Sequence, residues 1–145
     1  MNTMGGHDVE DIQVGMRGTY AKTVTETDII LFAGVTGDFN PVHIDAEAAA
    51  TTMFKERIAH GMLSAGFISA VLGTRMPGPG AIYLSQSLKF LAPVKIGDTV
   101  RTVCEVLSVV PGKKRVTLKT TCYVRDKAVL DGEAVMMVGS SAPRA

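Results

Sequence analysis

Asp38 and His43 stand five positions apart in the segment Gly37-Asp38-Phe39-Asn40-Pro41-Val42-His43. A carboxylate and an imidazole that reach one water can orient it and take its proton. Imidazole works near neutrality, so it can give that proton back. Pro41 stiffens the loop and lets both side chains point into one cleft. Spacing alone also suits a bland reading, in which Asp38 closes a turn and His43 packs in a loop. The second feature is His60-Gly61, at the start of an apolar stretch. Glycine lets a ligand approach the backbone, and the first N–H groups of a helix are free and carry partial positive charge. A thioester carbonyl docked there is polarised; equally, the glycine suits close helix–sheet packing. His43, Asp45 and His60 match no strong zinc spacing, and Asp45 has a sufficient role as a helix cap, so no metal is expected. Ser64 and Ser69 lack a Gly-x-Ser-x-Gly elbow.

These residues need elements to hold them. Residues 17–24 read as a first strand. Thr25-Glu26-Thr27-Asp28 has the form of a helix start, with Thr25 as cap and Asp28 placed to complement the helix dipole; Gly34 and Gly37 bracket that helix's end. Pro41 excludes regular helix from Asp38 to His43 and pushes Asn40 to an extended conformation. A short helix over about 46–54 follows, capped by Asp45. From Gly61 to Leu72 only Ser64 and Ser69 are polar, and a helix without a polar face is a buried helix; Gly73 and Met76-Pro77-Gly78-Pro79-Gly80 end it. The period then changes to two: Val116, Leu118, Thr120, Cys122 and Val124 alternate with more polar neighbours. Residues 81–92, 98–110 and 128–138 read as further strands, with hairpin turns at Pro111-Gly112-Lys113 and Asp126-Lys127. One strand, a helical middle and four strands predict an α+β fold, a curved antiparallel sheet around one long buried helix.

The chain has 145 residues, which suits one domain over 1–145, with its core at about 12–138 and frayed ends over 1–10 and 140–145. Hydrophobic residues make up 46% and charged residues 20%. That excess of apolar surface predicts a face shared between subunits. A net charge of +1 and the absence of basic blocks give no reason to expect a nucleic acid. No apolar run has the length of a membrane span, and no leader with a basic start and apolar core is visible, so the expected place is the cytoplasm. Cys104 and Cys122 have no CxxC spacing and read as small buried residues.

Gly37-Asp38-Phe39-Asn40-Pro41-Val42-His43-Ile44-Asp45 resembles the hydratase-2 motif of the MaoC-like dehydratases, a group that includes the (R)-specific enoyl-CoA hydratases. Phe54, Ile58, His60 and Gly61 resemble the segment that leads into that family's central helix. Residues 81–90 and 93–98 resemble its next strand and turn. The similarity spans residues 12–138 and shows no departure from the motif. It implies a single hot-dog fold, Asp38 and His43 as the catalytic pair, and the Gly61 N–H as the donor to the thioester oxygen. It also implies that Asn40 and Ser69 are supporting residues near the pair. The implied reaction is reversible syn hydration of a trans-2-enoyl-CoA to an (R)-3-hydroxyacyl-CoA. No metal or separate cofactor is implied, since CoA is part of the substrate, and the implied assembly is a homodimer. Alternatives are the same chemistry on an acyl-carrier-protein thioester or a specialised acyl-CoA, a hot-dog thioesterase, and a non-catalytic acyl-CoA-binding subunit.

Overall fold

The computed structural model describes residues 1–143. In chain order the elements are β1 (Arg17–Thr23), α1 (Glu26–Thr36), α2 (Pro41–Ile44), α3 (Ala46–Ala50), α4 (Gly61–Thr74), β2 (Ile82–Gln86), β3 (Lys89–Phe90), β4 (Thr99–Val110), β5 (Arg115–Val124) and β6 (Lys127–Met137). Single 3-10 turns lie at Val9–Asp11 and Pro111–Lys113. The strands form one antiparallel sheet in the order β1-β4-β5-β6-β2, and β3 also pairs with β6.

The alternation in β5 explains the packing. Val116, Leu118, Thr120, Cys122 and Val124 are all buried, and β5 pairs along its length with β4 on one side and β6 on the other. Onto this surface α4 lays Ser64, Ala65, Phe67, Ile68, Val71 and Leu72. Ile68, Val71 and Leu72 are fully buried. Each such aliphatic side chain contributes about 1.5–3 kcal/mol of transfer free energy, which fixes α4 against the sheet without a polar stripe. This is the hot-dog arrangement, a sheet wrapped on one central helix. Cys104 and Cys122 lie in that core as free thiols, and burial pushes them up to about 12 and about 11 respectively.

Several local expectations change. In this chain α4 is buried along one face only; Met62, Gly66, Ser69, Ala70 and Gly73 are exposed on the other. The sheet leaves that outer face of α4 uncovered. The helix also runs through Gly73 to Thr74. The segment 38–43 is not wholly irregular: Pro41 begins the one-turn helix α2, with Asn40 as its cap. The first helical position needs no N–H, so proline is tolerated there. The second short helix stops at Ala50 rather than near 54. The strand expected over 81–92 divides into β2 and β3, because the chain closes on β6 at Gly132. A Cβ there would sit 1.9 Å from the Ser87 carbonyl oxygen.

The N-terminus is tied down rather than frayed. Asn2 Nδ2 donates to the Pro79 carbonyl at 2.7 Å, and Val9 N–H donates to the Gly139 carbonyl at 2.9 Å. Ser140 and Ser141 bond the Glu10 carboxylate. Of the C-terminal stretch read as frayed, Arg144 and Ala145 lie outside the described residues.

Candidate active site

The capping box at Thr25 forms as its residue types require: Asp28 N–H donates to Thr25 Oγ1 and Thr25 N–H to the Asp28 carboxylate. The helix it starts ends at Gly37, whose φ of 83° places it in the left-handed region, open to glycine at little cost. That turn delivers Asp38. Its N–H donates to Thr36 Oγ1 and its Oδ1 accepts from Asn40 N–H, both at 3.2 Å. Asn40 in turn caps α2, its side-chain oxygen accepting from Val42 N–H. Asn40 therefore shapes the turn that carries both members of the pair. Asp45 caps α3, as its position predicts, by accepting from Glu47 and Ala48 N–H.

His43 is buried on α2, and its Nδ1 lies 2.8 Å from the Ile58 carbonyl oxygen. A carbonyl only accepts, so the neutral ring carries its proton on Nδ1 and leaves Nε2 as a lone-pair acceptor. Arg57 Nε donates to the His43 carbonyl at 2.7 Å, and its Nη1 pairs with Glu26 on α1 at 2.6 Å. His60 lies against this pair: its Nε2 is 2.9 Å from the Asp38 carbonyl oxygen, and its ring stacks on His43 with centroids 3.9 Å apart and planes 27° apart.

One side-chain atom each from Asp38, His43 and His60 fall within 4.8 Å of one another. A single water about 2.8 Å from each of two groups spans that gap. The three types also invite a metal reading. Four-coordinate zinc needs ring lone pairs that converge at about 2.0–2.1 Å; here one nitrogen of each ring already faces a backbone carbonyl, His43 Nδ1 that of Ile58 and His60 Nε2 that of Asp38.

Asp38, His43, His60 and Gly61 all line one cavity of about 570 Å³. The rest of its wall is mostly apolar, including Phe54, Ile58, Phe90, Leu91, Val129 and Leu130. Gly61 is the first residue of α4, and His60, the cap residue, makes no side-chain capping bond. The Leu63 N–H donates to the His60 carbonyl at 3.0 Å, while Gly61 and Met62, whose N–H groups open the helix, line the cavity with no side chain capping them among the described residues. Phe90 packs directly over Gly61. The structure thus unites Asp38, His43 and Gly61. Ser69 lies elsewhere, on the exposed face of α4, in a second cavity with Phe32, Tyr83, Leu84 and Gln86; Met62 lines both.

Sequence reasoning gave no role to His60 itself, nor to Arg57 or Phe90. The signal for His60 was present: histidine is a poor helix cap, and at the head of a long apolar helix it invites another explanation. Arg57 and Phe90 come from the loop after α3 and from β3, and no spacing marks them.

A central helix gripped by a sheet, with a carboxylate and an imidazole lining a cavity at that helix's N-terminus, is a hot-dog fold that brings together groups suited to acid–base chemistry. Comparison with known proteins narrows this. Residues 9–129 match the family model described as a MaoC like domain. The chain is 61% identical over 132 residues to the (R)-specific enoyl-CoA hydratase of Rhodospirillum rubrum, covering 91% of this chain and 92% of that one. It is 51% identical over 129 residues to the 3-hydroxybutyryl-CoA dehydratase of Methylorubrum extorquens, covering 89% and 82%. The unliganded R-hydratase PhaJ1 from Pseudomonas aeruginosa superposes with a TM-score of 0.89 at 46% identity, covering 97% and 92%. The chain belongs to the MaoC-like dehydratase family and is an enzyme of the hydro-lyase class.

Proposed function

We propose that the protein is an (R)-specific enoyl-CoA hydratase that adds water reversibly and syn to trans-2-enoyl-CoA. The observation that carries this reading is the cavity in which Asp38 and His43 face the N-terminus of α4. The thioester oxygen docks at the Gly61 N–H, which draws electron density from C3. A water held between Asp38 and His43 Nε2 attacks C3 while the pair takes its proton. The enolate oxygen that develops is stabilised at Gly61, and the proton returns to C2 from the same pair. Water and proton share one source, so both arrive on the same face. Asn40 supports the pair through its hydrogen bonds to the turn. CoA is part of the substrate, and the chemistry calls for no metal or other cofactor.

The assembly proposed is a homodimer. Its support is the free edge of β2, where Ile82, Tyr83 and Leu84 are exposed, together with the exposed apolar face of α4. An uncovered apolar edge strand otherwise invites aggregation. The acyl chain runs past Met62 toward the second cavity, where Ser69 lies away from the pair. The free cysteines fit a reducing compartment such as the cytoplasm, and no described helix is long and apolar enough to cross a membrane. The product suits supply of (R)-3-hydroxyacyl units for polyester synthesis or fatty-acid metabolism.

The test is turnover of enoyl-CoAs of graded chain length and of a carrier-protein thioester, followed by loss of the enone absorbance, with chiral analysis of the product. An (R)-3-hydroxyacyl-CoA without free thiol is the expected result. Release of thiol makes the protein a thioesterase instead, and turnover confined to the carrier-protein ester moves the substrate class.

A further inference from the structure

His60 touches every part of the site and takes no part in the chemistry described above. It is 2% exposed. Its Nε2 meets the Asp38 carbonyl oxygen, its ring stacks on His43 at 3.9 Å and packs on Phe32 at 4.8 Å with the planes tilted by 51°, and it is bonded covalently to Gly61. Its Nδ1 is buried with no hydrogen-bond partner among the described residues. A histidine kept merely as core filler would be expected to satisfy both nitrogens, since leaving one buried polar atom unpaired carries a desolvation cost.

We propose that His60 is a positioning residue that sets the acid/base pair and the oxyanion donor in one frame. The carbonyl of Asp38 can only accept, so the His60 proton sits on Nε2. That N–H fixes the backbone from which the Asp38 carboxylate emerges. The flat ring sets the tilt of His43, whose Nδ1 is anchored to Ile58 on the far side. The peptide bond to Gly61 ties both to the head of α4. A displacement of about 1 Å in such a constellation costs about a hundredfold in rate, so one rigid link between its two halves has a kinetic consequence. The unpaired Nδ1 is the cost of using the opposite edge of the ring as the donor.

This rests on the hydratase reading, and the two fail separately. If the unsubstituted protein hydrates no enoyl thioester, the function is wrong. The placement of His60 is tested apart from turnover by nitrogen-15 NMR of the histidine rings in the unsubstituted protein. The expected signal is a proton on Nε2 that exchanges slowly; a proton on Nδ1 overturns the proposal. In kinetics, His60→Phe keeps a ring and loses the donor, whereas His60→Gln keeps a donor close to the Nε2 position. His60→Phe is expected to lower kcat by 10- to 100-fold with KM changed by less than threefold, and His60→Gln to recover a substantial part of it. In an Asp38→Asn background the effect of His60→Phe should shrink to a few-fold, because the group it positions has gone. A folded His60→Phe enzyme with kcat within threefold of the parent overturns the proposal. So does a loss that multiplies unchanged on the Asp38→Asn background. Should neither variant fold, the ring tautomer decides.

Discussion

The oxyanion role proposed for Gly61 can be isolated from every other property of that glycine. Replacing it with alanine alone is ambiguous, since the new Cβ would lie 2.5 Å from Phe90 Cε1 and 2.7 Å from Cδ1, whereas ordinary contact begins at 3.4 Å. The ring must retreat by about 0.9 Å, the difference between those values. Phe90 is 53% exposed and has room to swing, but its movement reshapes the cavity. The cleaner experiment starts from Phe90→Ala and adds either Gly61→Ala or Gly61→Pro. Proline suits the first helical position, and His60, at φ −60° and ψ 135°, already has the extended geometry that a following proline demands. The two double variants share a Cβ and differ in the N–H, which the proline ring replaces with carbon. Losing one oxyanion donor costs about 3–4 kcal/mol, or about 10²–10³ in kcat. That ratio between the alanine and proline variants is the expected result in a crotonyl-CoA hydration assay, with melting temperatures within a few degrees of each other. A proline variant whose kcat stays within threefold of its alanine counterpart refutes the role assigned to the Gly61 N–H.

Asp38→Asn and His43→Gln are each expected to lower the hydration rate at least about a hundredfold while the circular dichroism spectrum is kept; near-full activity in either variant removes that residue from the mechanism. With thiols pushed up to about 12 and about 11, Cys104 and Cys122 hold only about 10⁻⁴ to 10⁻³ thiolate at pH 8. Labelling by a thiol reagent should therefore track unfolding in urea, and rapid labelling of the native protein contradicts their burial. Burial raises the Asp28 carboxyl, but hydrogen bonds from Thr25 and Lys22 outweigh it and leave the group below its ordinary value of 3.8. A depressed carboxylate stabilises the fold above its unfolded value and loses that contribution as pH falls through the native one. Asp28→Ala should cost about 0.3–1.5 kcal/mol at neutral pH, and the gap in melting temperature from the parent should narrow below pH 4. A gap that widens in acid reverses the sign of this argument.

Legibility followed the range of the interactions. The capping box at Thr25, the caps at Asn40 and Asp45 and the turn at Gly37 are local, and all but the Asn40 cap were readable from a few adjacent residue types. The two-residue period of β5 reports burial on one face and predicted its inward side chains correctly. The apolar composition of α4 predicts complete burial, but composition does not distinguish a face covered by the sheet from one left exposed. The split between β2 and β3 depends on Ser87 meeting Gly132, forty-five positions away, and no local pattern encodes that approach. Asp38 and His43 were legible as a motif. Their union with Gly61 needed the fold, because a helix N-terminus and a loop some twenty residues upstream share a cavity only after α4 has docked.

The way residues 37–60 are held has a consequence for how the enzyme fails. The sheet and α4 share one continuous core, whereas α2 and α3 pack chiefly on each other and are moored largely by polar contacts, among them Arg57 to Glu26 and to the His43 carbonyl, His43 to Ile58, Ile58 N–H to Val42, His60 to Asp38, and Ala59 N–H to Val94. Such a segment can open as its own cooperative unit, at a lower free energy than the whole domain. Amide hydrogens there should exchange ahead of those in β4 and β5, and warming should abolish turnover while the strands are still intact. Working lifetime is then set by the moorings of one short stretch, so strengthening the core would raise the melting temperature without extending activity.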